Sequence, residues 1–306
     1  MAPRLSSPER VLSTEPFGAE ANGLRYSTRD FQFIADLLRT RTGISLPATK
    51  ATFVFSRLAP RLRALNISNF KDYRQILTGR HAESEIGVMV NRLTTNLTRF
   101  FREPHHFDAL RRALAVCGPR IRIWSAGCST GQEPYSIAMV AAEFLKTRPS
   151  VDLRILATDI DTEVLSRAKS GEYDAEDLDG VPAWARNFFE QAGHDRIRIA
   201  EPARQLVQFK TLNLIANWPM RGPFDVIFCR NTAIYFDKPV QKRVYGGMAR
   251  LLKPEGLLCI GHSESLHDLD LGLLPQSGSI WQVPADLHRR LNAADHNDYA
   301  ELHPCP

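Results

Sequence analysis

The chain is poor in the residues that staple, span or cradle. It has five cysteines in 306 residues, Cys117, Cys128, Cys229, Cys259 and Cys305, with no C-x-x-C pair among them. An odd, scattered set argues against a disulfide framework and against a cysteine zinc site, so a reducing cytoplasm is the expected setting. No apolar run approaches the roughly 18 residues that cross a bilayer, so no membrane insertion is expected. Residues 1–27 lack the apolar middle of a secretory signal and read as a disordered lead, and residues 289–306 read as a polar tail. Gly-Lys-Ser/Thr and G-x-G-x-x-G are both missing, which removes the usual phosphate cradles.

What is present is unevenly distributed. Residues 29–80 hold ten Lys/Arg against three Asp/Glu, giving +7 in a chain whose total is +5. An acidic partner for that segment follows. The same segment repeats apolar residues at helical spacing. "STRDFQFIADLLRTRTGI" has Ser27/Thr28 capping candidates and stops at Gly43. "KATFVFSRLAPRLRALNI" and "NFKDYRQIL" follow, with Pro60 expected to kink or shorten the first of these. A helical domain over 28–92 is predicted. In it Lys50, Arg57 and Arg61, spaced by seven and four, form a docking stripe beside the apolar stripe Val54, Leu58, Leu62 and Leu65. A solvated helix face is the bland alternative. Nucleic acid is not the expected partner, because the basic region lacks interleaved aromatics for base stacking.

After a linker at 93–118, residues 119–288 alternate short apolar strands with helices. Strands are predicted at Ile121–Ser125, Leu153–Thr158, Leu206–Lys210, Phe224–Cys229, Leu257–His262 and Ile280–Val283. Helices are predicted at Gln132–Lys146, Thr162–Ser170, Ala183–Gln191 and Lys238–Leu252. The fold class is α/β, a doubly wound, mostly parallel Rossmann-like sheet. "RIRIAEPARQLVQF" reads as a small β-hairpin insertion at about 196–210.

Such a sheet binds ligands at its strand C-termini. The first strand ends in Gly127–Gly131 followed by Glu133, the second in Asp159 and Asp161, the third in Asn213, and the fourth in Arg230 and Asn231 with Tyr235 beyond. The two glycines alone leave a ligand turn and a purely structural turn equally open. An acid after the second strand accepts ribose hydroxyls, and amides after the third and fourth can read adenine or a carboxyl group. Ribose and adenine contacts without a phosphate cradle point to S-adenosylmethionine. Singly, Asp159 is as readily a solvated loop acid and Asn213 a turn former; four aligned strand ends favour the site.

The motifs "NLTRFFREPHHF", "SAGCSTGQEPYSIA", "ATDIDTEVLSRAKSGEY", "LNL", "IFCRNTAIYFDK" and "GHSESL", in this order over about 28–285, resemble the chemotaxis receptor glutamate O-methyltransferases, the CheR family. The resemblance implies a cofactor pocket lined by Asn96, Thr98, Arg102, Gly127, Glu133, Asp159, Asn213, Leu214, Arg230 and Asn231, with Arg102 and Tyr235 beside the transferred methyl group. It implies S-adenosyl-L-methionine as cofactor, S-adenosyl-L-homocysteine as product, no metal, and a chemoreceptor's cytoplasmic helical bundle as partner. Gln132 stands where the family commonly has an acid, and Thr232 where an aliphatic residue is common. The alternatives are a non-catalytic cofactor-binding regulator and a methyltransferase for a small molecule. A small β subdomain in the family can hold a receptor's tether peptide; "FFEQAGHDRIRI" is short for that task, so tether independence is expected. No His–Asp or Cys–His pair is evident at the strand ends, as suits a carboxylate nucleophile already ionised at neutral pH. His105 and His106 are adjacent and read as structural, as does His262. Phe100 and Phe101 read as core, and Cys128 as contributing backbone only.

Overall fold

The computed structural model describes residues 24–287, so the predicted lead before residue 24 and the polar tail lie outside the described residues. Two compact units are present. Among the described residues, one contains 24–37 and Leu46–Leu93; the other contains Leu38–Ser45 and 94–287.

The first unit is helical. Helix α1 (Thr28–Thr42) starts in a reciprocal cap, in which Asp30 N–H donates to Ser27 Oγ (3.3 Å) and Ser27 N–H donates to Asp30 Oδ2 (3.0 Å). Helices α2 (Ala51–Ala64), α3 (Phe70–Leu77) and α4 (Ala82–Leu93) follow. Pro60 lies inside α2 without ending it, since the helix continues to Ala64 with the proline ring exposed. Val54, Leu58 and Leu62 are buried as predicted, as are Phe70, Tyr73 and Met89, while Leu65 caps the helix half-buried. Ahead of α1, Arg25 bridges to Asn69.

Arg61 departs from its expected place in an exposed stripe. It turns inward to the buried Glu85, its Nε donating at 3.0 Å and its NH2 at 2.6 Å, and Tyr73 Oη donates to the same carboxylate at 2.8 Å. Burial pushes the Glu85 pKa up, but the hydrogen bonds from Arg61 and Tyr73, with the charges of Arg61 and Arg92, outweigh it and hold the carboxyl below its ordinary value. A folded-state pKa below the unfolded one gives stability that is present above the unfolded carboxyl pKa and lost as pH falls through the folded one. Glu85→Gln is therefore expected to lower stability by about 1–3 kcal/mol near neutrality. The gap to the parent should close below about pH 4, as the parent's own carboxyl protonates. Parallel urea titrations at both pH values check this, and a gap of constant size would sink it.

The second unit carries the α/β fold. Its elements in chain order are α5 (His105–Val116), β1 (Arg120–Ala126), α6 (Gln132–Thr147), β2 (Asp152–Asp159), α7 (Thr162–Ser170), β3 (Glu172–Asp174), β4 (Phe189–Gln191), β5 (Arg196–Ile199), α8 (Glu201–Arg204), β6 (Val207–Thr211), β7 (Phe224–Cys229), α9 (Lys238–Leu251), β8 (Leu252–Ile260), β9 (Leu274–Pro275) and β10 (Ile280–Gln282). The main sheet runs β6-β2-β1-β7-β8-β10-β9, parallel from β6 to β8 and antiparallel at β10 and β9. Both faces are buried. Ile121, Ile123, Val226 and Phe228 enter one apolar cluster, while Trp124, Ala126, Ile227 and Cys229 enter the other. The chain winds from β1 outward to β2 and β6 and then crosses to β7 and β8, so the switch in direction falls between β1 and β7.

Two expectations are corrected. The small sheet is β3-β5-β4, made from residues 172–199, not a hairpin over 196–210. Glu201-Pro202 is no hairpin turn but opens the short helix α8, where a proline without an N–H is well placed, and β6 beyond it joins the main sheet beside β2. The helix predicted at Ala183–Gln191 is a 3-10 turn, Ala183–Phe188, running into β4, which opens on the aromatic Phe189, a residue that suits an extended chain.

Candidate functional site

At the C-terminal ends of the strands one cavity is lined by Asn96, Thr98, Arg102, Gly127, Glu133, Asp159, Asn213, Leu214, Arg230, Asn231 and Tyr235. Every residue named from the sequence as a cofactor or catalytic candidate is thus brought to one place. Lys50, Arg57 and Arg61 lie in the helical unit: Lys50 and Arg57 are exposed and flank the Phe53 ring, and Arg61 is committed to Glu85.

The floor is the turn after β1. Gly127 adopts φ 77°, and a Cβ there would fall 2.2 Å from Thr232 Oγ1, so only glycine lets the β1 and β7 loops close. Gly127 and Cys128 donate their N–H groups to Thr158 O at 2.8 and 2.9 Å. Gly131, also left-handed, starts α6.

Asp159, at the end of β2, is held from two sides: Ser129 N–H donates to Oδ2 at 2.8 Å and Asp161 N–H donates to Oδ1 at 3.0 Å. Burial raises its pKa, against the pull of those backbone donors. The fixed carboxylate keeps lone pairs for vicinal hydroxyls. Two residues on, Asp161 is buried. Its Oδ1 caps α7 through Glu163 and Val164, and its Oδ2 accepts from Thr94 Oγ1 (2.7 Å) and Asn96 Nδ2 (2.9 Å). That bond seats the stretch 94–102 against the sheet.

Across the cavity, Arg230 has a side chain only 2% exposed. It lies 3.2 Å from Glu133 and 3.4 Å from Glu103, and it also donates to the carbonyl of Arg102. Burial raises the Glu133 pKa and the Arg230 charge opposes the rise; Ser125 Oγ donates to Glu133 Oε1 at 2.7 Å. The Arg102 side chain donates to Leu97 O at 3.2 Å and is partly exposed at the rim. Asn231, in a left-handed conformation (φ 55°), is pinned by its N–H to Glu264 Oε2 at 2.8 Å, and Gly261 N–H donates to the same oxygen at 2.6 Å.

Several participants escaped the sequence reading. Thr42, Ile44, Ser129 and Ile160 line the cavity, and Glu103 and Glu264 brace it. Glu264 had a signal in "GHSES", but nothing in its spacing marks a partner 33 residues earlier. A His–carboxylate pair is present at a strand end after all: His262 Nδ1 lies 2.9 Å from Glu103 Oε1. Neither residue lines the cavity.

Contrary to the 100° separation expected of neighbours on a helix, His105 and His106 converge. Both Nε2 atoms reach Gly278 O, at 2.7 and 2.8 Å, and with Glu103 they bring ligand-type atoms within 4.8 Å of one another. Burial, with the charges of Arg230 and His105, lowers the His106 pKa to about 4, so it is neutral at pH 7. Arg230 beside Glu103 supplies the positive charge of this cluster. Phe100 and Phe101 are core, as predicted.

The donor set suits S-adenosylmethionine. Asp159 offers a fixed acceptor for ribose, Glu133 a carboxylate for an ammonium group, and Ile44, Ile160, Leu212 and Leu214 apolar surface for a base. A doubly wound sheet with these groups and no phosphate cradle defines an S-adenosylmethionine-dependent methyltransferase. Residues 96–275 match the CheR methyltransferase SAM binding domain, and residues 29–94 match the CheR methyltransferase all-alpha domain. The chain belongs to the CheR methyltransferase family. It is 44% identical over 270 residues to chemotaxis protein methyltransferase 2 of Pseudomonas aeruginosa, covering 85% of this chain and 92% of that one. It is 39% identical over 268 residues to the chemotaxis protein methyltransferase of Escherichia coli K12, covering 86% and 93%. To a probable chemotaxis protein methyltransferase of Rhizobium etli it is 41% identical over 239 residues, covering 74% and 89%. Among the described residues no helix is long and apolar enough to cross a membrane.

Proposed function

We propose that this methyltransferase esterifies glutamate side chains on the cytoplasmic helical bundle of a chemoreceptor, acting in the cytoplasm without a metal and without nucleic acid. The relatives' names support the chemotaxis setting. The observation that carries the chemistry is that Arg102 and Tyr235 line the same cavity as Asp159 and Glu133. Bound S-adenosylmethionine supplies an electrophilic methyl group on a sulfonium. The chain's own task is placement and exclusion of water, because a glutamate carboxylate is ionised at neutral pH and needs no base to attack. Arg102, whose guanidinium reaches the rim, orients the incoming carboxylate through a forked hydrogen bond. Tyr235 walls the methyl position, and Arg230, neutralised between Glu103 and Glu133, stiffens the wall behind Arg102 through its bond to the Arg102 carbonyl. Transfer of labelled methyl from S-adenosylmethionine to receptor-containing membranes, with base-labile label on glutamates, tests the reading. Label on a small molecule, or cofactor binding with no transfer, would favour the alternatives.

Docking is assigned to Lys50 and Arg57, with Arg61 withdrawn from it by its bond to Glu85. Exposed charges act mainly on encounter and are screened beyond about 8 Å at physiological salt. Arg57→Glu is expected to raise the receptor KM about threefold or more and to flatten its salt dependence while leaving cofactor affinity alone. Arg61→Glu should instead lower the melting temperature. Equal receptor KM for parent and Arg57→Glu at low salt would show that the exposed charges merely solvate the helix.

A further inference from the structure

Residues 41–45 are the end of α1 and the turn after it, within the stretch that the family's all-alpha domain covers, yet they pack with the α/β unit. A helix end leaves carbonyls without partners, and those of Leu38, Arg39 and Arg41 are taken up locally or by the loop after β6. Thr42 Oγ1 donates to Leu38 O at 2.8 Å, and Gly43 N–H donates to Arg39 O at 2.8 Å. Arg41 O receives the side chain of Asn213, whose Nδ2 donates at 2.7 Å. The other end of that amide is also engaged, since Ile215 N–H donates to Asn213 Oδ1 at 3.1 Å.

The turn then runs to the opposite side of the cavity. Ile44 bridges to Phe236, and Ser45 N–H donates to Tyr235 O at 2.8 Å. At its centre Gly43 adopts φ 78°, where a Cβ would sit 2.7 Å from Ile215 Cγ2 and 3.3 Å from Phe236. Thr42 and Ile44 line the cavity. A strap therefore stretches from the loop after β6, where Asn213 stands, to the 3-10 turn that carries Tyr235.

We propose that the turn Arg41–Ser45 is a wall of the S-adenosylmethionine site and the backbone support of Tyr235, and that Asn213 is the positioning residue that seats it; this rests on the function proposed above. Because both ends of its amide are committed to Arg41 and Ile215, Asn213 acts on the ligand through the strap and through the backbone of Leu214 beside it. The two ends of the strap have separable effects. Loosening it at Asn213 exposes the apolar end of the cavity, Ile44 with Ile160 and Leu214, and costs affinity. Loosening it at Ser45 frees the backbone of Tyr235 and costs turnover.

Hydrogen exchange on the full-length protein tests the wall without any substitution. Saturating S-adenosylhomocysteine should slow exchange of the amides of residues 43–45 about tenfold. Two variants test the division of labour. Asn213→Asp keeps the acceptor for Ile215 but sets a carboxylate against Arg41 O, and its Kd for the product should rise about tenfold, by calorimetry. Ser45→Pro deletes the donor to Tyr235 O, and its kcat should fall about tenfold with product Kd within about threefold. A merely structural turn would lower the melting temperature in both variants without splitting Kd from kcat. Product binding by the parent with unchanged exchange at 43–45, or wild-type turnover by Ser45→Pro, overturns the proposal. Failure of the parent to bind the product at all overturns the cofactor reading beneath it, and the two failures are told apart by that one titration.

Discussion

Asp159→Asn is expected to bind S-adenosylhomocysteine about a hundredfold more weakly than the parent, a loss of about 2.7 kcal/mol. The substitution preserves shape, so the effect isolates charge and hydrogen-bond direction. In the parent both carboxylate oxygens already accept a backbone N–H, from Ser129 and from Asp161, and both have lone pairs to spare for hydroxyls. An amide nitrogen in place of either oxygen turns an acceptor toward a donor, in a site too buried for water to intervene cheaply. One backbone N–H then loses its partner and one ligand hydroxyl loses a charged acceptor. Calorimetry on purified protein reads the loss directly, and affinity within threefold of the parent would remove Asp159 from the ligand. Its circular dichroism should stay native, because the α7 cap depends on Asp161 and not on Asp159.

Arg230→Met should be the most damaging single change to stability, at about 3–5 kcal/mol. The guanidinium lies between Glu103 and Glu133 with almost no contact with solvent. A methionine fills much of the volume but leaves two carboxylates facing each other across an apolar gap. Glu133, whose pKa burial already raises, will take up a proton and soften the penalty. The double variant Arg230→Met/Glu133→Gln should therefore recover part of the loss, since it removes the buried Glu133 charge while Glu103 keeps His262 at 2.9 Å. Guanidinium titrations of parent, single and double variants give the comparison. A single variant as stable as the parent would mean that neither carboxylate is ionised in the folded protein, and the charge network would have to be redrawn.

The strand ends were legible because their signals are local. Each of Asp159, Asn213 and Arg230 follows an apolar strand by a residue or two, and the topology of a doubly wound sheet does the rest. The parts that were not legible depend on partners far along the chain. Arg61 fits a charged stripe when one helix is projected alone, and only the arrival of Glu85, 24 residues later, turns it inward. Thr42 and Ile44 flank the glycine that ends a helix and have nothing chemical to recommend them; their place in the cavity comes from Asn213 and Tyr235, reached across the fold. The hairpin expected around Glu201-Pro202 failed for a different reason. The alternation of apolar residues was real on both sides, but the two halves belong to different sheets, and pairing partners are not written in a strand's own pattern.

The turn after β1 has one more consequence, for redox chemistry. Cys128 lies in that turn, between Gly127 and Ser129, and it is 1% exposed, with burial and then the charges of Asp159 and Glu133 driving its pKa well above the ordinary value. Cys229 is raised in the same way, and Cys259 is pushed up to about 12. A thiol attacks oxidants and alkylating agents as its thiolate, so these three, buried and held protonated, are expected to react slowly in the folded protein. The acids that suit the turn to a ribose and an ammonium group also keep its sulfur protonated. Among the described residues only the half-buried Cys117, itself raised to about 11, offers a reagent any access. Maleimide labelling followed by peptide mapping should therefore modify Cys117 slowly and leave Cys128 untouched, and rapid loss of cofactor binding through modified Cys128 would contradict the sealed turn. Under oxidative stress the turn should stay indifferent to peroxide.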